Sequence, residues 1–118
     1  MKNILLILLS TTLLAACATK PAPRVYWGNY SDSLYELKKE PSANTILTHK
    51  QELEEIISKS EAWNILPPPG ISAELGKLYL EAGEKERAVQ MIKQEALNYP
   101  ESQTLVALLL RNMEEQNK

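Results

Sequence analysis

The sequence predicts an all-α protein, a small bundle of antiparallel helix pairs. Three observations carry that expectation. Ala, Glu, Leu and Lys are abundant, there is no phenylalanine, and β-branched runs are few, a composition that favours helix over sheet. Apolar residues recur at helical spacing in several segments beyond residue 30. The four glycines and seven prolines fall between those segments rather than inside them, with Gly76 as the exception.

The chain opens on Met1-Lys2-Asn3, an eleven-residue apolar segment from Ile4 to Leu14, and then Leu14-Ala15-Ala16-Cys17. That is the charged, apolar and small-residue order of a secretory signal. Eleven residues are too few to cross a bilayer, which takes about 20. The run into Cys17 resembles the lipobox of bacterial lipoproteins. That resemblance implies cleavage before Cys17, a diacylglycerol on its thiol and an acyl chain on the new amine, palmitate being the usual kind. By the same resemblance, Ala18 after the cysteine looks like an outer-membrane sorting signal. Residues 1–16 are then the signal peptide, and Cys17, the sole cysteine, leaves no internal disulfide to stabilise the domain.

Cleavage leaves 102 of the 118 residues, room for one core. Loss of Lys2 sets 12 basic against 15 acidic residues, a balance that argues against a nucleic-acid partner. Residues 17–25, with two prolines and no apolar periodicity, read as lipidated cysteine plus flexible tether. The eight residues after Cys17 would reach about 25 Å at ~3.1 Å per residue.

The folded part, 26–118, begins with Tyr26, Trp27, Tyr30 and Tyr35, four of the seven aromatics. A short helix is expected over 31–39, with Ser33 and Glu36 at capping-box spacing and Pro41 ending it through Glu40. Residues 41–44 are the connector. A second helix is expected to open at Thr48 with Gln51 as its capping partner. Leu53, Ile56, Ile57 and Trp63 form its apolar stripe, and Glu52, Glu54, Glu55 and Lys59 its solvated face. Pro67-Pro68-Pro69-Gly70 closes it.

From Gly70 to Ser102 two helices joined near Ala82-Gly83-Glu84 are expected. Leu75-Gly76, Tyr79, Ala88, Ile92 and Pro100 keep the spacings of a tetratricopeptide repeat, so the stretch resembles that hairpin. Ser72 stands where the repeat prefers tryptophan, and Glu95 where it prefers alanine. Gly76 and Ala88 are small where two helices must approach closely, and Gly83 supplies the left-handed residue of the reversal. Pro100-Glu101 then begins a last helix. Its apolar residues Leu105, Val106, Leu108, Leu109, Leu110 and Met113 spread over roughly 200° of circumference, where about 100° suffices for one buried face. The surplus around Val106 and Leu110 is either a partner surface or is covered by the hairpin folding back.

Chemistry is sparse. His49, the one histidine, is expected at a solvated position in the first turn of the second helix, with no second histidine or free thiol for a metal site. Glu54-Glu55 and Glu114-Glu115 diverge around their helices, and no glycine cluster forms a phosphate loop. The expectation is a protein that is not an enzyme, with neither cofactor nor small-molecule substrate.

Tyr26-Trp27-Gly28-Asn29-Tyr30, Leu34-Tyr35, Pro67-Pro68-Pro69-Gly70, Ala73-Glu74-Leu75-Gly76 and Tyr99-Pro100-Glu101-Ser102 together resemble the small bacterial lipoprotein family catalogued as domain of unknown function 4810, over nearly all of residues 17–110. The resemblance carries no activity. It implies an envelope lipoprotein, suspected as an accessory in an outer-membrane assembly with a lipoprotein similar to the curli secretion channel. The functional expectation is therefore a lipid-anchored, non-enzymatic protein-binding accessory or scaffold at the periplasmic face of the outer membrane. The alternative is a structural or self-assembling lipid-tethered spacer without a dedicated ligand. Candidate partner contacts are Lys77, Leu80 and Glu81 by resemblance to the repeat's concave face, Val106 and Leu110 as surplus apolar surface, and Trp27. For Trp27, docking a partner, resting among lipid headgroups and packing on the first helices all stay open.

Overall fold

A computed structural model describes residues 24–115, and among them the regular structure is entirely helical. The expected leader, Cys17 and the expected tether up to residue 23 lie outside the described residues. Five α-helices follow one another: α1 (Tyr30–Lys39), α2 (Ala43–Ala62), α3 (Ile71–Glu81), α4 (Lys85–Asn98) and α5 (Gln103–Glu115), with a 3-10 turn (Pro100–Ser102) before the last. Each helix packs chiefly on its neighbour in the chain, α3 against α4 most closely. That sequential stacking gives each α2-to-α4 helix two packed sides and leaves α5 with one.

The helix boundaries follow local chemistry. Asn29 precedes α1, and its backbone N–H is taken by Glu52 Oε1 of α2 at 2.7 Å. Ser33 is therefore already inside the helix, and the capping box expected with Glu36 does not form; Ser33 Oγ bonds back to the Tyr30 carbonyl at 3.0 Å instead. The second helix also opens earlier than expected, at Ala43 rather than Thr48. Ser42, extended after Pro41, accepts from the Thr45 N–H at 3.1 Å while Thr45 Oγ1 accepts the Ser42 N–H at 2.9 Å, a reciprocal capping box six residues upstream of the expected one.

Two helices end in the same six-to-one turn. Ile65 N–H reaches Ser60 O and Asn64 N–H reaches Glu61 O after α2; Glu84 N–H reaches Tyr79 O and Gly83 N–H reaches Leu80 O after α3. Both turns need a left-handed residue, and Asn64 (φ 53°) and Gly83 (φ 80°) supply it. Gly83 meets its expectation. Asn, the usual second choice at this position, does the same work at the end of α2.

The core runs through the stack: Leu53 and Ile56 from α2, Ile71, Leu75, Leu78 and Tyr79 from α3, Ala88 and Ile92 from α4, Val106 and Met113 from α5. Gly76 marks the closest approach. A Cβ there would lie 2.7 Å from Ile92 Cγ1 and 3.0 Å from the Ala88 carbonyl oxygen, so only glycine lets α3 and α4 meet at this distance. The proline turn is part of the wall. Pro67 and Pro68 are buried, and Tyr99 Oη donates to the Pro67 carbonyl at 2.7 Å, tying the end of α4 to the start of α3.

Candidate functional site

The polar centre of the molecule is His49, and it is not where the sequence placed it. Its exposure is 0%, so the expected solvated position is wrong. Because α2 begins at Ala43, His49 lies in its second turn on the same face as Leu53, Ile56 and Ser60, all buried. Two long-range partners make the burial tolerable. Nδ1 lies 2.8 Å from Ser33 Oγ of α1, and Nε2 lies 3.0 Å from Glu74 Oε1 of α3. Tyr30 Oη donates to the other Glu74 oxygen at 2.8 Å. Burial, then the Glu74 carboxylate, push the Tyr30 phenol up to about 12.

Ser33, His49 and Glu74 thus stand in a nucleophile–base–acid line, and Ser33 borders an open hollow of about 490 Å³. Acyl transfer needs more than the line. Backbone N–H donors would have to converge on the developing oxyanion. Here the Ser33 N–H is held by Asn29 O, the Tyr30 N–H by Trp27 O and the Asn29 N–H by Glu52. What the network does is join α1, α2 and α3 through one fully buried imidazole.

A second junction lies on the opposite edge of α3. Tyr79 Oη donates to Glu54 and receives from Arg87, whose guanidinium sits 4.0 Å over the Tyr79 ring. Arg87 also pairs with Glu84 at 2.8 Å. Burial first, then Glu54, push the Tyr79 phenol up to about 12. Glu54, expected on a solvated face, is instead a link between α2, α3 and α4.

The expected partner residues divide into three places. Lys77 and Leu80 come together in a groove of about 200 Å³ between α3 and α5, opposite Leu109 and Asn112; Lys77 is exposed and paired with Glu81, while Leu80 is half-buried against the core. Val106, at 5% exposure, belongs to the core, so of the two readings open for it the covered one holds and it is not a free partner contact. Leu110 is half-buried beside it. The apolar surplus of α5 surfaces instead at Leu105 (54% exposed) and Leu108 (46%), one turn apart. Trp27 lies away from both, exposed at the start of α1 with its ring 5.3 Å from Tyr30. Its neighbour Tyr26 packs edge-on against Trp63 at the end of α2.

The two departures from the repeat pattern, Ser72 and Glu95, are both buried. Glu95 Oε1 accepts the Gly70 N–H at 2.7 Å, placing a carboxylate at the positive end of α3. Its Oε2 and Ser72 Oγ are the buried side-chain atoms left without a protein partner among the described residues.

Among the described residues no cluster of His, Cys, Asp and Glu could hold a metal, and no helix is long and apolar enough to cross a membrane. The sequence pattern of the family described as Domain of unknown function (DUF4810) matches residues 25–109. No curated protein and no solved structure matches the chain.

Proposed function

The chain belongs to the DUF4810 family, and from that premise we propose that it is an envelope lipoprotein whose helical domain binds another protein and catalyses nothing. The anchor is Cys17, with its acyl chains in the outer membrane and the domain held on a short tether at the periplasmic face. The Leu14-Ala15-Ala16-Cys17 leader supports the anchor. One observation carries the binding role: α5, the open end of the stack, leaves Leu105 and Leu108 uncovered in a row. A sequentially stacked helical array buries each face against the next unit, so an apolar terminal face calls for something to stack on it. The groove beside Lys77 and Leu80 extends that surface along α3.

Photocrosslinking in the intact envelope tests the reading. A crosslinker at Leu108 should give one adduct of fixed mass, and one at Gln90, on the exposed face of α4, should give none. Equal, diffuse labelling from both positions would contradict a dedicated binding face.

A further inference from the structure

A cleft of about 270 Å³ opens between the end of α2, the segment 65–67, the start of α3 and the end of α4. We infer that this cleft binds an extended segment of a partner polypeptide, one that carries a basic side chain. The inference rests on the protein-binding reading but assigns a second surface, to which no residue of α5 contributes.

Four observations converge there. Ser72, which lines the cleft at 1% exposure, holds a hydroxyl with no partner among the described residues, and a buried hydroxyl left that way costs about 1–3 kcal/mol. The residues around it recognise peptide backbone. Gln94 Nε2 donates to Asn98 Oδ1 at 3.0 Å, which leaves Gln94 Oε1 free to accept and Asn98 Nδ2 free to donate, one of each kind pointing from the same turn of α4. Leu66 adds main chain. Lying in an extended stretch followed by prolines, it has neither its N–H nor its C=O bonded to any described residue. An extended chain passing beside Leu66 can pair with both groups, as a strand adds to an edge.

Charge selects the side chain. Glu61 stands on the cleft with no ion pair among the described residues, and no Lys or Arg is among the lining residues. Ile57, Ile65 and Pro67 form an apolar wall. Aliphatic stem against that wall and cationic head toward Glu61 is the arrangement a Lys or Arg side chain takes at such a surface.

The test pans a phage-displayed random dodecapeptide library against the full lipidated chain in nanodiscs, with empty nanodiscs as counter-selection. Enriched peptides should carry a Lys or Arg, and their affinity, read by fluorescence anisotropy, should fall about tenfold in Glu61→Lys. Leu108→Asp should leave it unchanged. Ser72→Ala should lower the affinity while the melting temperature holds or rises, since the free protein loses an unsatisfied hydroxyl. If Ser72→Ala lowers the melting temperature and leaves affinity intact, the hydroxyl serves a structural water and the inference is overturned. Failure to enrich any peptide also overturns it. Binding that survives Glu61→Lys but is lost in Leu108→Asp overturns it too, while leaving the binding role of α5 in place.

Discussion

Gly76→Ala isolates the packing between α3 and α4. In an isolated helix the change is favourable by about 1 kcal/mol, because alanine is the better helix former. In this protein the new methyl would stand 2.7 Å from Ile92 Cγ1 and 3.0 Å from the Ala88 carbonyl oxygen, against the 3.5–4.0 Å at which carbon contacts become attractive. Ile92 is buried and Ala88 is main chain, so neither can swing aside; α3 and α4 must separate. Overpacking costs about 1–3 kcal/mol, and a collision with main chain and a buried branched side chain takes the upper part of that range, about 2–3 kcal/mol; after the propensity gain of about 1 kcal/mol a net loss of about 1–2 kcal/mol remains. For a domain of this size that lowers the melting temperature by about 4–15 °C. Thermal unfolding of the purified full chain in detergent, followed by circular dichroism, reads it directly. In an Ile92→Ala background the same substitution should cost less, by at least about 0.5 kcal/mol, because one of the two colliding atoms is gone. A melting temperature unchanged or raised by Gly76→Ala would refute the close approach on which the hairpin is built.

Three further outcomes follow from the same structure. His49→Ala removes the buried link among three helices and should cost about 2–4 kcal/mol by chemical denaturation, since Ser33 and Glu74 lose their shared partner and a void opens; Glu74→Gln should cost less, because an amide still hydrogen-bonds. Tyr30 and Tyr79 have folded values raised above the ordinary 10, so the stabilisation from their neutral hydroxyls is complete below about pH 10 and drains away as pH rises toward about 12. Alkaline unfolding should therefore begin in that window, and the Tyr30→Phe/Tyr79→Phe double variant should show a flatter profile there. On α5, Val106→Asp should lower stability by about 3–5 kcal/mol as an unpaired buried charge, whereas Leu108→Asp should stay within about 0.5 kcal/mol. The pair separates core from surface on one helix.

What the sequence disclosed are the features that a local turn or a repeat spacing marks; what it hid are contacts that neither marks. Gly76 and Ala88 were legible because the repeat spacing pairs them across one short reversal, and Gly83 because its role is set within its own turn, where spacing is informative. The helices themselves were legible for the same reason. His49 was not, because its burial depends on Ser33 and Glu74, sixteen and twenty-five residues distant on other helices. The late start expected for α2 compounds the error: the helix opens instead at Ser42, which is extended (φ −149°, ψ 163°) and exchanges both bonds of a capping box with Thr45. On α5, periodicity gives an apolar arc wider than one face but cannot say which edge meets α4; the structure buries Val106 and leaves Leu105 exposed. Ser72 and Glu95 were visible as departures from a repeat pattern; that they mark buried polar atoms needed the three-dimensional arrangement.

Each functional step presupposes that the helical domain is moored to a bilayer through its cysteine. Intact-mass analysis of the chain extracted from its native membrane tests this most directly. The expected product is a polypeptide that begins at Cys17 and carries the added mass of a diacylglycerol and an amide-linked acyl chain. A chain that still begins at Met1, or one that begins at an unmodified Cys17, would contradict it.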